Sequence, residues 1–89
     1  MTTRVAVISI IVEQNGDTEE LNHLLSAYGS YIIGRMGIPY RKKNISIISV
    51  AIDAPQDVTS TFTGKIGQLQ GISSKTVYSQ IISDVEETC

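Results

Sequence analysis

Apolar residues along the chain fall into two rhythms that alternate. Residues 4–12, RVAVISIIV, form a β-branched run of strand length with apolar side chains on both parities, the pattern of a strand covered on both faces. A polar break follows, Glu13-Gln14-Asn15-Gly16, with a turn-prone Asn-Gly pair. The spacing then changes to threes and fours. Leu21, Leu24, Leu25 and Tyr28 stand at i, i+3, i+4 and i+7, one stripe of an amphipathic helix. Asp17 can cap this helix, and Glu20 three residues on completes a capping-box spacing. Gly29 is expected to close it in the left-handed region.

Residues 30–36, SYIIGRM, read as a second strand. Gly37-Ile38-Pro39-Tyr40 and the basic run Arg41-Lys42-Lys43 read as the hairpin loop into the next strand. That third strand, residues 45–52, carries no charge and is again apolar on both parities, so it too wants cover on both sides. Asp53 or Ala54 is placed to cap a second helix, with Pro55 in its first turn. Val58, Phe62, Ile66 and Leu69 make its expected buried stripe. The helix is intrinsically poor: Thr59, Ser60, Thr61, Thr63, Gly64 and Gly67 each cost a few tenths to about 1 kcal/mol relative to alanine. It must therefore form by packing, and Gly64 and Gly67 suggest a close approach to the sheet or to a partner. Gly71 ends it, and residues 72–78, ISSKTVY, are the fourth strand. The tail, residues 80–89, contains Ile81, Ile82 and Val85 and is expected to add a short helical turn.

The order β-α-β-β-α-β is a split βαβ arrangement that short, right-handed connections allow. The expected fold is a ferredoxin-like α+β sandwich, a four-stranded antiparallel sheet with two helices on one face. No segment repeats and no linker interrupts the chain, so residues 1–79 form one domain and 80–89 its C-terminal tail. Two helices cover only one side of the sheet. Yet Val5, Val7 and Ile11 oppose Ala6, Ile8, Ile10 and Val12, and Ile45 and Ile47 oppose Ile48, Val50 and Ile52. Leaving several such side chains in water forfeits about 1.5 to 3 kcal/mol each, and an apolar patch of this kind usually marks an interface. The expectation is a homo-oligomer, dimer or tetramer, that buries the uncovered face or the sheet edge beside it. The plain alternative is a monomer with an apolar sheet face.

At 89 residues the chain is near the size where one core is only marginally sufficient. A net charge of −2 gives no general electrostatic reason to expect nucleic acid or an acidic membrane as partner. No apolar run approaches the roughly 18 to 20 residues of a membrane span, and the strand pattern begins after three residues, leaving no room for a signal peptide. The single cysteine, Cys89, rules out an internal disulfide and suits a reducing cytoplasm.

Two segments carry a family resemblance. They are Gly34-Arg35-Met36-Gly37-Ile38-Pro39-Tyr40 ahead of the apolar strand, and Thr63-Gly64-Lys65-Ile66-Gly67-Gln68-Leu69-Gln70-Gly71-Ile72 with Lys75-Thr76-Val77. Together they resemble the iron-only hydrogenase system regulators, over roughly residues 4–78. That family is similar in its ACT-like, ferredoxin-like fold to the C-terminal domain of nickel-responsive repressors. The resemblance implies a regulatory role, that of a transcriptional regulator or sensor, and no chemistry of its own. It also implies ligand binding at a subunit interface near the loop joining first strand and first helix. By that resemblance Asn15, Gly16 and Asp17 are candidates for a small-molecule effector, with Gly37 and Gly64 beside them. Asn-Gly also offers backbone amides at a helix N-terminus, while a turn plus a cap explains the same residues without any ligand.

The pattern departs from the nickel-responsive repressors in two ways. Three residues ahead of the first strand leave no ribbon-helix-helix reader. His23 lies on the polar side of the first helix and Cys89 at the far terminus, so the two do not make a metal site, and no metal or other cofactor is expected. No nucleophile and base pair surrounds the sole histidine, Gly64-x-x-Gly67 lacks the order of a phosphate loop, and the chain is not read as an enzyme. Arg35, Arg41, Lys42 and Lys43 gather four of the seven basic residues near Tyr40. They are the candidate contact for an anion or nucleic acid, or simply a charged hairpin that keeps an edge soluble. An RNA-binding sheet of this fold needs exposed aromatics on its central strands, and residues 45–52 have none. Protein partners other than a second copy remain open to such a module.

Overall fold

A computed structural model describes residues 2–84. The elements are β1 (Thr2–Val12), α1 (Thr18–Ala27), β2 (Ile32–Tyr40), β3 (Ile45–Ala54), α2 (Gln56–Gly67) and β4 (Ile72–Asp84). Short 3-10 turns at Gly29–Tyr31 and Arg41–Lys43 lead into β2 and β3. The strands lie in the order β2-β3-β1-β4 with every neighbouring pair antiparallel. Each helix thus carries the chain over one strand to the far side of it, the interleaved βαβ of the ferredoxin-like fold.

The core lies between sheet and helices. Ala6, Ile8, Ile10 and Val12 of β1 and Val50, Ile52 and Ala54 of β3 meet Leu21 and Leu25 of α1 and Phe62 and Ile66 of α2. Tyr28 stacks on Phe62 with ring centroids 4.5 Å apart, tying the end of α1 to the middle of α2. The N-terminus of α1 forms as its spacing predicts, the Asp17 carboxylate accepting from the Glu20 amide at 3.2 Å. The Glu20 carboxylate turns instead toward His23 Nδ1, 3.8 Å away.

Five local expectations are corrected. Gly29 is not left-handed: α1 ends at Tyr28, whose amide reaches Leu24 O at 3.0 Å, and a 3-10 turn carries the chain on. Among the described residues the left-handed ones are Asn44 (φ 55°) and Gly71 (φ 70°). Secondly, β2 runs on to Tyr40 and pairs Gly37, Ile38, Pro39 and Tyr40 with Ile48, Ile47, Ser46 and Ile45. An edge strand accepts proline where the missing N–H faces away from its neighbour, so only Arg41–Lys43 and Asn44 make the turn. Thirdly, α2 has no side-chain cap. Pro55 is its N-cap with an extended ψ of 144°, and the restriction on a residue preceding proline keeps Ala54 in the strand, with Asp53 opposite Val5. Fourthly, a Cβ placed on Gly64 or Gly67 would meet nothing within 4 Å, so neither glycine serves a close approach to the sheet. Finally, β4 passes a bulge opposite Arg4 and Ala6 and continues to Asp84, so residues 80–84 form strand rather than a helical turn. Arg4 fixes this bulge: its Nε donates to Ser79 O, its Nη1 to Gln56 Oε1 at 3.3 Å, and its guanidinium lies 5.1 Å from the Tyr78 ring centre. Val85 to Cys89 fall outside the described residues.

The buried stripe of α2 is Thr59, Phe62 and Ile66, with Val58 and Leu69 only half-buried. Thr59 is fully buried and its hydroxyl has no hydrogen-bond partner among the described residues. Because a buried polar atom without a partner forfeits its solvation, Thr59→Val, of nearly the same shape, should stabilise the domain by about 1 kcal/mol. Thermal unfolding should show Tm raised by roughly 4–8 °C; an unchanged or lower Tm would contradict this.

Candidate functional site

Two surface features stand out, a cavity at one end of the sheet and the helix-free face beside it. The cavity, about 330 Å³, lies where the β1–α1 loop meets the β2–β3 turn. Its wall joins Glu13, Gln14 and Thr18 from the first loop to Tyr40, Arg41, Asn44 and Ser46 from the second, over an apolar floor of Val12, Pro39 and Ile45. A carboxylate, a guanidinium, an amide and hydroxyls over aliphatic carbon suit a small polar ligand. The left-handed Asn44, whose amide donates to Arg41 O at 3.2 Å, reverses the chain so that Arg41 and Ser46 reach the same space.

The candidate effector residues sit next to this cavity in a loop that is already internally bonded. Gly16 N donates to Glu13 O at 2.9 Å, Asp17 N to Gln70 O at 3.1 Å and Thr18 N to Gly16 O at 3.0 Å. Glu13 N donates to Gly71 O at 2.8 Å. The loop is therefore clamped to the α2–β4 connection, and its amides at Gly16, Asp17 and Thr18 are engaged. Gly37 lies exposed on edge strand β2 opposite Ile48, and Gly64 lies exposed on α2; neither lines the cavity. Of the basic residues, Arg41, Lys42 and Lys43 share one exposed 3-10 turn, and Arg41 lines the cavity. Arg35 pairs with Val50 on the helix side of β2 and lines a separate groove with Asn22 and Leu25. Six residues of strand, roughly 20 Å, separate it from Arg41. His23 is solvent-exposed on α1. Among the described residues no three His, Cys, Asp or Glu side chains come together as metal ligands.

The helix-free face is the larger feature. Residues paired across antiparallel strands share a face, and the register sets Val5, Val7 and Ile11 beside Ile47 of β3, Met36, Ile38 and Tyr40 of β2, and Val77 of β4. All eight are exposed, Met36 to 61% and Val77 to 70%. Tyr40 and Ile45 belong both to this face and to the cavity wall, so the cavity opens at the margin of the apolar surface.

The strand order, the long β2 and the Gly71 clamp define a fold whose sequence can be compared with known ones. A family model, TM1266-like, provisionally described as an iron-only hydrogenase system regulator, matches residues 4–76. The chain belongs to this TM1266-like family. It is similar to a solved structure of an uncharacterized protein, TM1266 from Thermotoga maritima, at 31% identity and a TM-score of 0.82, over 85% of this chain and 96% of that one. A weaker likeness, TM-score 0.49 and 15% identity over 91% of this chain and 59% of the other, is to LarC2. LarC2 is the C-terminal domain of a cyclometallase involved in the synthesis of the NPN cofactor of lactate racemase, and so distant a likeness bears no weight. Among curated proteins none matches. The family match spans β1 through the first half of β4, and so includes every residue of the cavity and the Gly71 clamp.

Sequence reasoning missed most of the cavity wall. Glu13, Thr18, Asn44 and Ser46 are ordinary polar residues in their own segments. The one local signal was Asn44 directly after three basic residues, a residue type that tolerates the left-handed turn.

Proposed function

We propose that this TM1266-like domain is a non-enzymatic regulatory module that works as a homo-oligomer and senses a small effector held where two copies meet. The observation that carries the reading is the helix-free face, eight exposed apolar side chains on four adjoining strands. A patch of this extent is unusual on a free monomer surface. A copy seated on that face would also stand at the mouth of the cavity, through Tyr40 and Ile45, so that effector and association act on each other. The regulatory assignment itself follows the family. The rival use of the exposed Arg41, Lys42 and Lys43, a nucleic-acid contact, finds less support, since the chain is net negative and Arg35 stands apart from the other three.

Native mass spectrometry of gently purified protein tests the reading, because it reports stoichiometry and any retained small molecule together. The expected spectrum is a dimer or tetramer carrying added mass. A bare monomer at micromolar concentration would overturn the proposal.

A further inference from the structure

Among the residues whose side chains are described, the helix-free face carries two charges at its paired strand positions, Asp53 on β3 and Lys75 on β4. Asp53 is half-buried and Lys75 exposed. Among the described residues neither Asp53 nor Lys75 has an ion-pair partner. A lone carboxylate and a lone ammonium on a face otherwise made of uncharged side chains, aliphatic ones with Ser9, Ser49 and Ser73 among them, are each costly to cover, unless the covering surface brings the opposite charge.

The register gives these two residues a simple relation. Asp53 pairs with Val5, and Lys75 pairs with Ser9, on the two strands that flank β1. The midpoint between them is Val7. We propose that this face docks on a second copy of itself across a two-fold axis through Val7, which exchanges Asp53 with Lys75 so that each carboxylate meets the other copy's ammonium. The inference rests on the self-association proposed above and adds the surface, the axis and the contact pairs.

The rest of the face fits the same axis. With strands about 4.8 Å apart and about 3.4 Å per residue, an in-plane axis that swaps Asp53 and Lys75 runs from Val7 to Met36, about 12 Å away. Met36 pairs with Ser49, which pairs with Ser9, and this register places it on the axis. Val7 and Met36 then pack on their own counterparts, as residues on a two-fold axis must. The same operation sets Val5 over the second copy's Val77, two aliphatic side chains that the described residues leave 40% and 70% exposed. Strands of the two sheets cross at about 70°, close to the orthogonal class of sheet packing. Four strands of about ten residues make a face of roughly 600 Å² in projection, comparable with the ~800 Å² per partner of a standard interface.

Reversing the charges one at a time tests the axis. In Lys75→Glu both contacts become acid against acid, and in Asp53→Lys both become base against base. Each variant alone should self-associate at least tenfold more weakly than the unaltered chain, read by sedimentation velocity. Mixed in equal amounts, the two should form a one-to-one complex at near the original strength, because both contacts are then of opposite sign. Val7→Lys, which sets two ammonium groups together on the axis, is a second disruptor should Asp53→Lys fail to fold; circular dichroism checks folding of each. An unaltered chain that is already monomeric would overturn the self-association reading itself. An oligomer that all three variants leave intact would overturn this docking face alone and point to the free edge of β2. Single variants that dissociate without rescue on mixing would overturn the Asp53–Lys75 pairing and hence the axis.

Discussion

Phe62→Ala is expected to destabilise the domain by about 3–5 kcal/mol, against a total stability of about 5–15 kcal/mol for a domain of this kind. Phe62 is fully buried and is the largest side chain in the core that is. The loss has three physical parts. Folding takes less apolar surface out of water, a cavity remains because β1 and β3 hold their spacing through the strand ladders, and the stack on Tyr28 disappears. That stack joins the two helices. Chemical denaturation should show a midpoint moved far toward zero denaturant with a little-changed slope. A loss below about 1 kcal/mol would mean that the site collapses around the alanine and that Phe62 is not the keystone of the helix layer.

Gly71→Ala has the second largest expected effect, and a different origin. Gly71 takes φ 70°, where a Cβ is disfavoured. A Cβ there would lie 2.8 Å from both the Cα and the amide nitrogen of Gly16, and 2.7 Å from Asn15 Oδ1. Gly16 is as constrained, since its own Cβ would fall 2.6 Å from Val12 Cγ1. The two glycines therefore let the β1–α1 loop and the α2–β4 connection touch, and their contact supports the Glu13–Gly71 and Asp17–Gln70 hydrogen bonds. The substitution should cost about 2–4 kcal/mol from strain and overpacking combined, with Tm lowered by roughly 10–20 °C. Amide exchange at Glu13 and Asp17 should accelerate more than at core strand positions such as Ile8. Uniform acceleration across the chain would show that the clamp has no local stability of its own.

These two residues show where the sequence was readable and where it was not. Phe62 stood out by helical spacing with Ile66, a local relation. Gly71 was legible only as the end of a helix, because its partner Gly16 is 55 positions away and no periodicity links them. The strand expectations hold for the buried parities of β1 and β3, where one face is fixed by packing. They fell short for β2, whose pairing continues through Gly37 and Pro39 because an edge strand makes ladder bonds on one side only. The start of α2 departs from the expected capping by Asp53 or Ala54 because a cap contributes only about 1 kcal/mol. Docking of Phe62 and Ile66 outweighs it, and this helix does without a side-chain cap. In the candidate site, the family resemblance points to Asn15, Gly16 and Asp17, which lie between the cavity-lining Gln14 and Thr18 without lining the cavity themselves. The wall opposite, Tyr40, Arg41, Asn44 and Ser46, depends on a tight turn that the Gly-Ile-Pro-Tyr segment disguised as a longer loop.

The apolar second parity of β1 and β3 is a different case: the alternation marks it, and among the described residues Val5, Val7, Ile11 and Ile47 stay 40% exposed. Everything proposed for function depends on what covers it. The most direct test is native mass spectrometry of the unaltered chain across the micromolar range. Self-association predicts a dimer or tetramer that persists on dilution to low micromolar concentration, with added mass if the effector is retained. A monomer throughout would contradict the central claim, and the eight exposed side chains would then belong to an interface with a different protein.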